Sequence, residues 1–240
     1  MRIDPSAQPQ NEGNDYDWEE AKDDAPSIAQ PIACYSHARV TKLTCSFGFY
    51  GKIPARGDFV RAGLPRDFID AWDRWLQQVM AESRTLLADA WVPAWLEAPI
   101  WRFRLRSGIC GSQAALGVFM PSVDRAGRHF PLTLACVATD SELRQTDSIS
   151  SLHQAEAAGI AAIEHDLDPD NLIERLRPAR GESGAAASIA ADVPDGNCSW
   201  WTEGAPRVAA KAFATDTLPG GALFAHMLDA SSADPTTRNR

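Results

Sequence analysis

Between Pro65 and Leu87 apolar residues recur every three or four positions, at Phe68, Ile69, Trp72, Trp75, Leu76, Val79, Met80, Leu86 and Leu87. That spacing lays one wide apolar stripe along a helix. Asp70, Asp73, Arg74, Gln77, Gln78, Glu82 and Arg84 fall mainly off the stripe. Pro65 is tolerated in the first turn, and at 1.5 Å per residue the helix runs about 35 Å. Trp72 and Trp75 then face a core; the alternative for them is an aromatic platform for a ligand.

The rest of the folded chain reads mostly as strands. The run Phe47–Phe59, F-G-F-Y-G-K-I-P-A-R-G-D-F, begins as a short buried strand. Gly51, Pro54 and Gly57 break it into a loop that carries Lys52, Arg56, Asp58 and, just beyond, Arg61. Residues 91–96 form a short turn or helix, stopped by Ala98-Pro99. Over 100–105, Trp101, Phe103 and Leu105 alternate with Arg102 and Arg104, the pattern of a half-exposed strand. A glycine-containing turn leads to the continuous apolar run 114–120, so the two are expected to pair as a hairpin. A second polar loop, 121–131, holds Asp124, Arg125, Arg128 and His129, and a buried strand follows over 132–138.

Helix is expected over 148–167, with Leu152, Ala155, Gly159, Ala162, Ile163 and Leu167 near one face. Asp168-Pro169 caps a second, short helix over 171–176. Residues 178–197 are rich in Ala, Gly, Ser and Pro and read as a mobile loop. Two short strands, 198–202 and 208–214, and a helix over 218–229 complete the pattern. Segregated strands point to an α/β fold with a mixed, mostly antiparallel sheet. The helices 65–87 and 148–167 can cover its opposite faces, giving one three-layer α/β/α sandwich over 43–230. Residues 1–42 are expected to be a disordered acidic tail and 231–240 a flexible end. The acidic patch Asp15–Glu20, with Trp18 inside it, is either a partner-binding motif or a solvated stretch.

The net charge of −9 argues against a nucleic-acid partner. Residues 1–40 hold eight acidic and three basic side chains, so the folded part is only mildly acidic. The five cysteines, Cys34, Cys45, Cys110, Cys136 and Cys198, form no C-x-x-C pair, which speaks against a disulfide framework and a zinc ribbon. Cys45, Cys110 and Cys136 are expected to be buried thiols. The N-terminus lacks signal-peptide patterning, and no apolar run approaches the ~20 residues of a membrane helix. A reduced, soluble, cytoplasmic protein without membrane insertion is the expectation.

No phosphate-binding G-x-x-x-x-G-K-[ST] occurs; Ile53 follows Gly51-Lys52 where the magnesium-binding hydroxyl would stand. G-x-G-x-x-G, G-x-S-x-G, H-E-x-x-H and paired-cysteine spacings are also absent. His153 and His165, twelve apart, fit no ligand pair. No metal or cofactor is therefore expected. Ser122, His129 and Asp58 could be assembled into a hydrolytic triad, although Ser122 has no activating turn signature. For Asp58, Arg61, Asp124, Arg125 and Arg128 the plain reading is an ion-pair network tying two loops together. The sharper one is a docking surface for a protein or an anion.

Four segments, 48–60, 98–103, 121–132 (P-S-V-D-R-A-G-R-H-F-P-L) and 200–207 (W-W-T-E-G-A-P-R), together resemble the TagF family, also called ImpM, of bacterial type VI secretion systems. The resemblance spans about 45–228 and leaves the acidic N-terminal segment outside. It implies an α/β/α sandwich and a cytoplasmic accessory factor rather than an enzyme. It also implies a post-translational repressor that works with the forkhead-associated scaffold protein, holding it away from the assembling apparatus. Some relatives carry a fused PP2C-type phosphatase domain; this chain is too short for one, so no phosphatase activity is implied. Lys52, Arg56, Asp58, Asp124, Arg125 and Arg128 match the family's motifs, and with Arg61 they are the candidate interface or loop-bracing residues. A ligand-sensing or hydrolytic domain built on the Asp58 and Asp124 loops is the alternative.

Overall fold

The computed structural model describes residues 46–145, 148–177 and 193–232, all within one compact unit spanning Thr41–Arg240. The acidic segment 1–42, most of the loop 178–197 and residues 233–240 lie outside the described residues. The strands are β1 (Phe47–Gly51), β2 (Val60–Ala62), β3 (Trp101–Leu105), β4 (Ala114–Met120), β5 (Leu132–Ala138), β6 (Cys198–Ala205) and β7 (Val208–Thr215). The helices are α1 (Arg66–Leu87), α2 (Trp91–Leu96), α3 (Asp140–Gln145), α4 (Ser148–Glu164), α5 (Pro169–Arg175) and α6 (Gly221–Leu228). A 3-10 turn, Ala88–Ala90, joins α1 to α2.

The seven strands form a single sheet in the order β2-β1-β5-β4-β3-β6-β7. Every pairing is antiparallel, so the mixed sheet expected from the sequence is corrected to a fully antiparallel one. The pairs β1–β2, β3–β4, β4–β5 and β6–β7 join strands adjacent in sequence, and connections without a crossover leave no other direction. The three-residue β2 has no sequence signature of its own, and neither does the polar α3.

Side chains alternate between two apolar clusters. One gathers Phe68, Trp72, Leu76 and Val79 of α1 with Phe224 and Met227 of α6 and with Trp101, Phe103, Phe119 and Trp200 of the sheet. The other gathers Leu152, Ala155, Ala158 and Ala162 of α4 and Leu172 of α5 with Phe49, Leu116, Val118, Met120, Leu132 and Leu134. Arg102 belongs to the second side. It is buried rather than half-exposed, because Glu156 of α4 (2.7 Å) and Glu203 of β6 (2.8 Å) close over it. Cys110 and Cys198 are free and buried, and burial lifts their thiols to about 12 and about 11. Cys136, buried in β5, is disulfide-bonded, which corrects its expected role as a free thiol. Among the described residues, no helix is long and apolar enough to cross a membrane.

Trp72 is the centre of the first cluster. Its ring stacks on Phe68 (5.6 Å between centroids) and meets Trp75, Phe103, Phe119 and Trp200. Its indole N–H donates to Thr133 Oγ1 at 2.9 Å. Trp72→Ala should lower unfolding free energy by about 3–5 kcal/mol, through the cavity and the stranded Thr133 hydroxyl. The apolar stripe expected through Leu87 is buried only as far as Met80: Leu86 is exposed in the last turn of α1, so Leu86→Ala should stay within about 0.5 kcal/mol. Urea titration followed by tryptophan fluorescence distinguishes the two.

Candidate functional site

The two charged loops leave the sheet at the same end, because β1 lies beside β5 and Gly51 pairs with Leu132. The first loop, 52–59, turns back into β2, whose Val60 also pairs with Gly51. The second, 121–131, joins β4 to β5 and is pinched by a bridge between Val123 and His129. Gly51 has φ +142°, and a Cβ there would lie 2.0 Å from the Pro131 carbonyl oxygen. No side chain fits, so the glycine lets the two loops start in contact.

Asp124 holds them together. Its side chain is buried, and Oδ2 receives Lys52 Nζ at 2.8 Å and Arg128 Nε at 2.6 Å. Oδ1 accepts the main-chain N–H groups of Ala126 (2.8 Å) and Arg128 (2.9 Å). Burial alone would raise this carboxyl. The hydrogen bonds from Lys52, Arg128 and the Ala126 amide outweigh it and hold Asp124 well below the ordinary carboxylate range. Lys52 is itself buried.

The arginines of the second loop reach across to the main chain of the first. Arg125 donates from Nη2 to the Ala55 carbonyl (2.6 Å) and from its N–H to the Arg56 carbonyl (3.0 Å). Arg128 Nη2 donates to the Gly57 carbonyl. Ser122 adds a buried link, its hydroxyl donating to the Lys52 carbonyl at 2.8 Å. The structure thus brings Lys52, Asp124, Arg125 and Arg128 into one brace. It leaves the side chains of Arg56, Asp58 and Arg61 exposed, with no ion pair among the described residues. Ser122, His129 and Asp58 share no hydrogen bond: the Ser122 hydroxyl is engaged by carbonyl oxygens, and His129 sets its ring edge-on to Trp91 (5.4 Å) and Trp95 (6.3 Å). Burial, with help from the nearby Arg84 cation, lowers the His129 pKa and favours its neutral form.

An aromatic layer underlies the brace, and sequence spacing does not reveal it. Phe59 stacks on Tyr50 (5.7 Å, 9° between planes) and meets Phe130 edge-on at 4.8 Å. Lys52 Nζ sits 5.1 Å from the Phe59 centroid. The Tyr50 hydroxyl donates to Asp73 Oδ1 at 2.5 Å, which ties the end of β1 to α1. Burial first, and then the adjacent Asp73 carboxylate, raise the Tyr50 pKa far above the ordinary phenol value. Trp95 Nε1 donates to the Ser122 carbonyl at 3.2 Å, tying α2 to the second loop. Among the described residues, no group of three or more His, Cys, Asp or Glu side chains is placed to hold a metal ion. The fourth sequence motif lies elsewhere: Trp200 is in the core, and Arg207 pairs with Glu97 (2.6 Å) and Asp229 (2.9 Å).

Residues 48–178 match the family model described as TagF N-terminal domain, Type VI secretion system-associated. The matched span contains both loops. Three solved chains match the fold. One of them is the PA0076 protein of Pseudomonas aeruginosa, 30% identical, with a TM-score of 0.66 over 79% of this chain and 96% of that one. No curated protein matches the sequence.

Removing the Asp124 carboxylate strands a buried ammonium. Asp124→Ala should cost about 3 kcal/mol, the low end for a broken buried pair because Arg128 remains partly solvated. The sign with pH follows from the depressed folded-state pKa. The stability Asp124 supplies is complete above its unfolded value of about 3.9 and is lost as pH falls through the folded value. Denaturant titrations from pH 7 down to pH 3 should show the difference between wild type and Asp124→Asn shrinking only below about pH 4. An unchanged midpoint for Asp124→Ala at neutral pH would refute the brace.

Proposed function

The chain belongs to the type VI secretion system-associated TagF family, and from that premise we propose that it is a post-translational repressor of secretion that binds the system's forkhead-associated scaffold component. The observation that carries the reading is the family match across both charged loops. On this reading the protein works in the cytoplasm, keeps the scaffold component from the assembling apparatus, and needs no cofactor. We also infer that it acts by binding rather than by catalysis. In support, the Ser122 hydroxyl and both Asp124 oxygens are engaged by the loops themselves, which leaves neither poised as nucleophile or base. The two apolar clusters, fed by alternate residues of the same strands, support a three-layer α/β/α arrangement.

Purified protein and purified forkhead-associated component should co-elute as a complex. Deleting the chain should raise secretion, and overproducing it should lower secretion, with the abundance of the other components unchanged. Altered component levels would move the effect away from post-translational control, and unchanged secretion in both strains would remove the repressor role.

A further inference from the structure

We propose that the exposed rim of the loop pair, formed by Arg56, Phe59 and Arg61, docks an acidic protein segment that carries an apolar side chain. The inference rests on the reading of the chain as a binding protein and adds which groups make the contact and what they recognise. The brace and the rim divide the loops between them. Lys52, Asp124, Arg125 and Arg128 are committed to holding the loops in one shape. Arg56 and Arg61 are exposed and make no ion pair among the described residues, in a chain whose net charge is −9. Unpaired guanidinium groups on an acidic protein are available for carboxylates, which they take in a bidentate fork.

Phe59 supplies the apolar half. It is 47% exposed, yet its ring is fixed between Tyr50, Phe130 and the Lys52 ammonium. A half-exposed aromatic that is already immobile costs little entropy on binding, and aromatic and arginine side chains are the ones that dominate interface energies. Arg61 lies directly across from Tyr50 in the β1–β2 register, beside the ring on which Phe59 stacks. The Arg56 carbonyl is fixed by the Arg125 N–H. The neighbouring acids are mostly engaged: Asp73 by Tyr50 and Gln77, Asp70 by Arg66. Asp58 is the acidic group left on the rim, and it favours a discrete acidic segment with an apolar anchor over a uniform polyanion.

The test uses the full chain and a fluorescein-labelled Glu/Asp peptide with one central Trp, read by anisotropy at low salt. Binding should weaken at least about tenfold for Phe59→Ala and for Arg56→Glu combined with Arg61→Glu. Arg175→Glu, an exposed arginine on α5, should bind as wild type. The unfolding midpoint should not move for Arg56→Glu combined with Arg61→Glu and should fall modestly for Phe59→Ala, which loses the Tyr50 and Phe130 ring contacts, so binding is compared at a temperature where every variant is folded; if either rim variant folds poorly, Phe59→Leu and Arg61→Gln replace them. No binding by wild type, equal loss with Arg175→Glu, or full competition by inorganic phosphate would overturn the proposal. The forkhead-associated component separates the two readings. If it is captured equally by wild type and the rim variants, this surface is wrong and the repressor reading stands. If the peptide binds as expected but the component is not captured, the surface stands and the partner is another acidic protein.

Discussion

The contact that orders the molecule is the packing of Trp72 against the sheet. Its ring touches aromatic side chains from β3, β4 and β6 at once, and its N–H is satisfied by Thr133 of β5. A flat, rigid side chain held by four strands fixes both the rotation and the height of α1. Everything at the loop end of the sheet inherits that position. Asp73, one residue on, meets the Tyr50 hydroxyl at the end of β1. At the far end of α1, Ser83 accepts the Trp91 N–H, and α2 then delivers Trp95 to the Ser122 carbonyl. The core therefore reaches the second loop through Trp95 and Phe130, and the first through Ile53 and through Tyr50, on which Phe59 stacks.

Against that fixed frame, the Lys52–Asp124 pair selects a conformation more than it adds stability. Desolvating an ammonium and a carboxylate offsets much of their attraction, so a buried pair is a weak net stabiliser but a strict one. Two main-chain amides and Arg128 satisfy the remaining acceptor sites of Asp124. An arrangement of residues 121–131 that drew Asp124 away from Lys52 would leave the buried carboxylate or the Lys52 ammonium short of partners, each a costly state in a buried position.

Periodic and apolar features were legible in the sequence because they are local. The α1 stripe, the central strands β4 and β5 and the Asp168 cap, whose side chain accepts the Asn171 N–H at 2.9 Å, all follow from spacing over a few residues. Features that depend on distant partners were not. Alternation over 101–105 reads as half-exposed, yet α4 and β6 bring Glu156 and Glu203 over Arg102. β2 is three residues long and exists by pairing with β1. The charged loops stood out as a pair, but charge alone could not assign roles within them. Lys52 and Asp124 are 72 residues apart, the Ser122 link runs to a main-chain carbonyl that no side-chain pattern marks, and Trp95 lies outside every motif. The candidate set accordingly mixed bracing residues with rim residues that the structure separates.

That separation has a physical consequence. The arginines of the second loop grip the first through its carbonyl oxygens, at Ala55, Arg56 and Gly57, and not through its side chains. Main-chain acceptors are present whatever residue occupies the position. Arg56 and Asp58 are therefore released from structural duty, and their identity can change without loosening the brace. Asp124, Lys52 and Gly51 have no such freedom, since each is fixed by burial or by close backbone approach. A rigid loop whose outward side chains are energetically unconstrained is suited to recognition: its shape is set in advance, and its chemistry is open to be matched to a partner.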